Sequence, residues 1–331
     1  MSVYEAKVGE FQGEKAVWLK AGKYEAAILP EYGGNLVAFR DVEKGYRFLH
    51  EPAEGGMEEF KAHPAIYGIP VLFPPNRYED GKFPWNGKLY QLPVNEARNN
   101  NHIHGFVHTI PWTVEQVGVY GNESVVTVVV QVREGHPVYQ YLPFDFTIRL
   151  TYSLSAEGGL AQHLFIRNDG KASMPCLLAF HTAVSVPFAT GSAARDYLVK
   201  VTIGERWEMS SRTLPTGNKL PLSAEEIALQ GEGLNPFAIP LDNHYTVKPQ
   251  NGRNFMELTD KKENVTLVYD AGTSYKQWML YNNGAREGFF CPEPQINLVN
   301  APNTGLPAEE IGLFGLEPGE IWEERARLYV K

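Results

Sequence analysis

Short runs of β-branched and aromatic residues, cut apart by turn residues, recur along most of this chain and leave little room for helices. Ser124 to Val132 reads S-V-V-T-V-V-V-Q-V, and Phe144 to Leu154 reads F-D-F-T-I-R-L-T-Y-S-L. Such runs fit a pleated, half-buried or fully buried surface. The same pattern marks Lys15 to Leu19, Tyr24 to Leu29, Trp112 to Val119, Leu160 to Arg167, Val265 to Tyr269, Gln277 to Tyr281 and Ile321 to Val330 as strands. Turn chemistry falls between them, at Asp80-Gly81, Gly118 to Asn122, Glu157-Gly158-Gly159 and Glu317-Pro318-Gly319. Helical periodicity is confined to Ser223 to Leu229, with a Ser cap and Glu226 at the capping-box position, and to Met57 to Ala62. Many strands, few helices and no alternation of strand with helix predict an all-β fold of stacked, largely antiparallel sheets. With no linker, repeat or low-complexity segment, residues 1–331 are expected to form a single domain.

Composition narrows the partners. A net charge of -9 disfavours nucleic acid and anionic membrane surfaces and favours a neutral or weakly charged small ligand. No apolar run approaches the roughly 20 residues of a membrane span, and Met1 to Glu10 lacks the basic and apolar regions of a signal peptide. The expected location is therefore the cytoplasm. Cys176 and Cys291 stand far apart without CxxC spacing, which predicts two buried thiols rather than a zinc site or disulfide framework.

Chemistry must then sit on strand ends and loops. Asn99 to Trp112, N-N-N-H-I-H-G-F-V-H-T-I-P-W, holds three of the nine histidines, the residue type suited to proton transfer or metal binding near neutrality. His102 and His104, two apart, should share one face of an extended segment. A metal-binding barrel would want a carboxylate soon after the pair, yet the first acid after His104 is Glu115, so no metal is expected. For His108, the neighbours Val107, Thr109, Ile110 and Trp112 argue against a helix and favour a structural role. Leu177 to Phe188 buries His181 in an apolar strand, where desolvation favours neutral imidazole unless a carboxylate partners it. Glu293, between two prolines in F-F-C-P-E-P-Q, is expected on a stiffened turn at the edge of apolar surface. Arg77 in F-P-P-N-R-Y and Asp242 in L-D-N-H-Y complete a polar set suited to a polyhydroxylated ligand.

These stretches carry a family resemblance. G-I-P-V-L-F-P-P-N-R at Gly68 to Arg77 is followed by D-G-K-F, G-K-L-Y-Q-L-P-V-N and H-G-F running to Trp112. F-H-T-A-V-S-V-P-F, L-D-N-H-Y, C-P-E-P-Q and N-A-P-N then follow in order, up to Asn303. In this the chain resembles the aldose 1-epimerase (galactose mutarotase) superfamily. The resemblance implies a β-supersandwich, with Glu293 as general base, His181 as general acid, and His104, Arg77 and Asp242 binding the sugar. It implies no cofactor, a small-molecule sugar as partner, and a monomer or homodimer. Well-studied galactose mutarotases tend to have Gly-Gly after the first His and His-Pro at the second, whereas this chain has His104-Gly105-Phe106 and His181-Thr182, a difference that bears on sugar specificity.

The expected reaction is anomer interconversion. A base removes the proton of the anomeric hydroxyl while an acid protonates the ring oxygen, C1 rotates in the open aldehyde, and the ring recloses. Glu293 and His181 are expected on opposite sides of the C1–O5 bond, with room for one pyranose between them. Three alternatives stay open: a hexose-6-phosphate 1-epimerase, with Arg77 helped by Lys82 or Lys88; a glycosidase using Asp242 and Glu293; and a non-catalytic carbohydrate-binding protein.

Overall fold

The computed structural model describes residues 4–157 and 159–331. The turn at Glu157-Gly158-Gly159 and the stretch Met1 to Glu10 therefore lie partly outside the described residues. Three antiparallel sheets dominate. The first is a five-stranded meander through Tyr4–Phe11, Glu14–Ala21, Tyr24–Leu29, Asn35–Asp41 and Tyr46–Arg47. The second has eight strands, in the spatial order Thr113–Tyr120, Glu123–Val132, Phe146–Ser155, Gly159–Asn168, Ile321–Val330, Val265–Gly272, Asn254–Asp260 and Tyr197–Val201. The third runs Pro215–Leu220, Ile203–Met209, Asp242–Val247, Gln277–Tyr281, Gly288–Gln295, Ala179–Phe180 and Val71–Leu72, with Val184–Val186 on the far end of Gly288–Gln295.

Burial follows from the sequence pattern. Phe146–Ser155 and Gly159–Asn168 alternate strictly over most of their length, so one face points Ile148, Leu150, Tyr152, Leu164 and Ile166 into the core. Glu123–Val132 is buried along nearly its whole length, and Val126, Val128 and Val130 join Ile148, Leu150 and Tyr152 in one cluster with Val17, Leu19 and Ile28 of the first sheet. A continuous valine run is the composition such a buried strand requires. The helix Ala224–Gln230 begins on Ser223, whose Oγ accepts from Glu226 N (3.2 Å) while Glu226 Oε2 accepts from Ser223 N (2.7 Å). Met57–Ala62 is likewise helical. No helix among the described residues is long and apolar enough to cross a membrane.

Three local expectations are corrected. Phe289–Gln295 is part of a strand, Gly288–Gln295, rather than a turn. Gln295 O accepts from Lys276 N (3.0 Å) and Ile296 N donates to Leu178 O (2.9 Å). Odd-numbered residues therefore bond toward Gln277–Tyr281, while Pro292 and Pro294 face the other flank. That flank is paired at Gly288–Phe290 and at Gln295, and the ladder is interrupted between them, where the prolines have no N–H to donate. His181 is not within a strand: it lies between the short strands Ala179–Phe180 and Val184–Val186, its N donating to Pro70 O at 3.0 Å. His108 lies in a single turn of 3₁₀ helix, Val107–Thr109, where β-branched neighbours cost little because a lone turn carries few of the contacts that crowd them.

Candidate active site

Cross-strand register assembles the site. In the third sheet Asp242 stands opposite Tyr281, which stands opposite Cys291; two residues along, His244, Met279 and Glu293 are opposed in the same way. Directly opposed residues share a face. Asp242, Tyr281, Met279 and Glu293 are thus brought to one surface by pairing alone, from segments up to 51 residues apart in sequence (293 − 242). Arg77 and His104 arrive from a separate two-stranded ladder in which Arg77 opposes Ile103. Asn300, in the N-A-P-N segment, tethers that ladder: its N donates to Arg77 O (3.0 Å), and its Oδ1 accepts from Glu79 N (3.1 Å).

His104 leaves its strand with φ +69, followed by Gly105 at φ +63. A Cβ on Gly105 would stand 2.3 Å from Phe73 O, so no larger residue fits that close approach. This left-handed pair breaks the period of two, and the expectation that His102 and His104 share a face fails here. His104 turns into the cleft with His181, the rings perpendicular and 5.2 Å apart. His102 stays in the wall, its Nδ1 2.8 Å from Pro93 O.

The resulting cleft, about 270 Å³, is lined by all five residues singled out from the sequence, Arg77, His104, His181, Asp242 and Glu293, together with Ile66, Asn76, Met279 and Tyr281. Glu293 and His181 are both buried, and His181 Nε2 lies 3.3 Å from Glu293 Oε1. There is accordingly no room for a pyranose between them, and that expectation is corrected: the two groups form a contact pair over which a ring must lie. Burial pushes the Glu293 carboxyl well above its usual range; Asp242 adds to this, and Arg77 and Gln295 oppose it. Burial pushes His181 down to about 3. Both shifts disfavour the charged form of the group concerned. His104 is held well below its usual value by burial and by His181, His108 and Arg77.

Arg77 Nε donates to Glu96 Oε1 (2.9 Å), and its Nη1 lies 3.8 Å from Asp242 Oδ1. Glu96 is in turn fixed by Asn101 Nδ2, 2.9 Å from its other oxygen. Asp242 sits at the rim with its side chain 44% exposed. The walls around its carboxyl push it up, Arg77 draws it down, and Glu96 adds to the rise. Sequence reasoning missed Glu96, Asn76, Met279 and Tyr281. Nothing in N-E-A-R-N-N-N sets Glu96 apart, whereas Tyr281 follows from Asp242 once the two strands are paired.

Among the described residues one cluster has metal-ligand geometry: His181, Cys291 and Glu293, with ligand atoms within 4.8 Å of one another. His102, His104 and His108 are not part of it. Burial, with Glu293 beside it, pushes the Cys291 thiol well above its usual range. Without a metal ion the neutral thiol is therefore the favoured form.

An all-β supersandwich with a buried carboxyl–imidazole pair on one sheet face has the galactose mutarotase-like architecture. The chain belongs to the aldose 1-epimerase family, whose model matches residues 15–329. It is similar to a galactose mutarotase-like protein from Clostridium acetobutylicum, 34% identical, with a TM-score of 0.94 over 99% of this chain and 98% of that one. The galactose 1-epimerase of Lactobacillus acidophilus NCFM shares the fold at a TM-score of 0.75 and 15% identity, covering 100% and 98% of the two chains. The uncharacterized protein YihR of Escherichia coli K12 is 27% identical over 295 residues, 88% of this chain and 87% of that one.

Proposed function

We propose that this protein interconverts the α and β anomers of a free aldose by acid/base ring opening and closure. The contact between Glu293 and His181 at the floor of a polar cleft carries this reading. O1 and O5 of a pyranose are bonded to the same carbon, so a ring laid across the pair presents both oxygens to groups in mutual contact. With the proton on His181, Glu293 takes the O1 proton as His181 protonates O5; the C1–O5 bond breaks and C1=O1 forms. Rotation about C1–C2 and the reverse transfers close the ring from the other face. Each turnover returns the single proton to its starting place, which suits a pair whose surroundings disfavour net charge. His104, Asp242 and Arg77 hold the remaining hydroxyls.

The cleft favours a neutral sugar over a phosphate. Arg77 is the one Lys or Arg among its described lining residues, and it is already engaged by Glu96 and Asp242. Lys82 pairs with Asp80 at 3.2 Å and, like the exposed Lys88, lies outside the cleft. A glycosidase pairs two carboxyl groups, whereas the group touching Glu293 is an imidazole.

Two outcomes test the division of labour. Arg77→Lys and Asp242→Asn are expected to act chiefly on KM, raising it roughly tenfold, because each removes about one charge-assisted contact. Glu96→Gln should give a milder rise in the same parameter by loosening the guanidinium. Steady-state anomerisation kinetics with spontaneous mutarotation subtracted would decide it, and a loss confined to kcat would contradict the assignment. Turnover should also survive exhaustive chelation with no stoichiometric metal by elemental analysis; activity lost to a chelator and restored by zinc would overturn the metal-free mechanism.

A further inference from the structure

The cleft has two halves carried by different elements. Asp242, Met279, Tyr281 and Glu293 belong to the third sheet, whereas Arg77 and His104 come from the ladder of Arg77–Glu79 with Asn101–Ile103. A two-stranded ladder so short is marginal by itself, so the place of Arg77 over the sheet depends on what ties the halves together. Arg212 does so from the turn that joins Ile203–Met209 to Pro215–Leu220 at the edge of the third sheet. The turn is closed on itself, with Ser210 N donating to Leu214 O (2.8 Å) and Thr213 N to Ser210 O (2.9 Å). From it the Arg212 side chain reaches the end of the ladder away from Arg77. Nε donates to Asn99 O (2.9 Å), Nη1 to Glu79 Oε1 (2.9 Å), and Nη2 to Asp80 Oδ1 (2.8 Å) and Asn100 O (3.0 Å).

A lone surface ion pair contributes little. A planar guanidinium shared among acceptors from both strands of the ladder is different, because its fork fixes direction as well as distance. The line of bonds also continues inward. Asn101, opposite Glu79 and fully buried, donates from Nδ2 to Arg212 O (3.0 Å) and to Glu96 Oε2 (2.9 Å). The other oxygen of Glu96 accepts from Arg77 Nε (2.9 Å). A continuous path therefore runs from the third sheet's edge turn through Asn101 and Glu96 to the guanidinium that faces Asp242. Asn300 holds the Arg77–Glu79 strand, whereas Arg212 holds that strand's end and the start of its partner. Arg212, Asn101 and Glu96 do not line the cleft, so any effect they have on a bound sugar must pass through the ladder.

We propose that Arg212 is a positioning residue, a strut that sets the gap between the two halves of the cleft and, through Asn101 and Glu96, the aim of the Arg77 guanidinium. Its kinetic readout rests on the anomerase reading. The test measures anomerisation kinetics for Arg212→Met and Arg212→Lys, alone and combined with Arg77→Lys, and follows amide hydrogen exchange by mass spectrometry across residues 77–80 and 99–103. Arg212→Met is expected to raise KM roughly fivefold to tenfold with kcat little changed, the pattern of lost binding rather than lost chemistry. Arg212→Lys keeps the charge without the fork and should raise KM less. In the Arg77→Lys background either substitution should add little, since its effect passes through a guanidinium already removed. Exchange in both segments should quicken in Arg212→Met. A merely structural role would cut the amount of active enzyme, lowering the apparent kcat and leaving KM alone; that split, or fully additive effects on KM, would overturn the proposal. If no aldose turns over in the wild type, the anomerase reading falls and hydrogen exchange decides. Faster exchange confined to the two segments then supports the strut, and exchange that is unchanged, or faster throughout the chain, overturns it.

Discussion

Glu293→Gln is expected to lower kcat by roughly 10²-fold or more while sugar affinity stays within a few-fold of wild type. The amide keeps the length and hydrogen-bonding reach of the carboxyl group, and the strand that carries it is held by pairing with Gln277–Tyr281, so the cleft should keep its shape. What disappears is the group that takes the proton from O1 and returns it. The measurement is the rate of anomer exchange by NMR or polarimetry, together with the dissociation constant for a free aldose. Wild-type turnover by this variant would remove the proposed mechanism outright.

His181→Asn should cost a similar factor and also change the pH profile. In the wild type the active pair holds one proton. Its acid limb, where a second proton enters, lies low because burial drives His181 to about 3. Its basic limb, where the single proton is lost, lies high because burial drives Glu293 well above the usual carboxylate range. The expected kcat/KM profile is therefore a broad plateau across neutrality. Without the imidazole the residual activity needs Glu293 as carboxylate, so it should rise with pH through the raised Glu293 value and show no plateau below it. A variant that keeps the wild-type plateau at reduced height would show that His181 positions substrate rather than carrying a proton.

The legibility of this chain in its sequence depends on the range of the interactions. Valine-rich and strictly alternating strands such as Ser124 to Val132 and Leu160 to Arg167 were readable because burial on one or both faces writes itself into consecutive residues. Gln277 to Tyr281 and Ile321 to Val330 match their observed bounds. The Glu293 strand was not readable, because prolines ordinarily argue against a strand and only the gap on one flank makes them tolerable there. The left-handed turn at His104 was likewise hidden: a histidine at positive φ is uncommon, and the need for it arises from the approach of Gly105 to Phe73, which no local pattern encodes.

The site divides in the same way. His181, Glu293, Arg77, His104 and Asp242 stood out as polar groups in apolar or proline-stiffened settings, and family resemblance supplied their roles. Their convergence on one cleft is a matter of register between strands distant in sequence. Contact between Glu293 and His181, and the hold of Glu96 on Arg77, follow from that register and could not be reached from composition or spacing.

Pro292 and Pro294 also bear on how the imidazole is held beside the carboxyl group. The pairings of Ala179 with Gln295 and of Val184 with Phe290 set Phe180 to Ala183 alongside Cys291 to Pro294, so His181 lies next to Glu293 on the neighbouring segment. A proline nitrogen carries no hydrogen, and neither Pro292 nor Pro294 can donate to that segment. Its backbone is anchored from the opposite side, where His181 N donates to Pro70 O (3.0 Å) and Ala183 N donates to Gly68 O (2.8 Å). The imidazole and the carboxyl group thus ride on backbones tied to different neighbours.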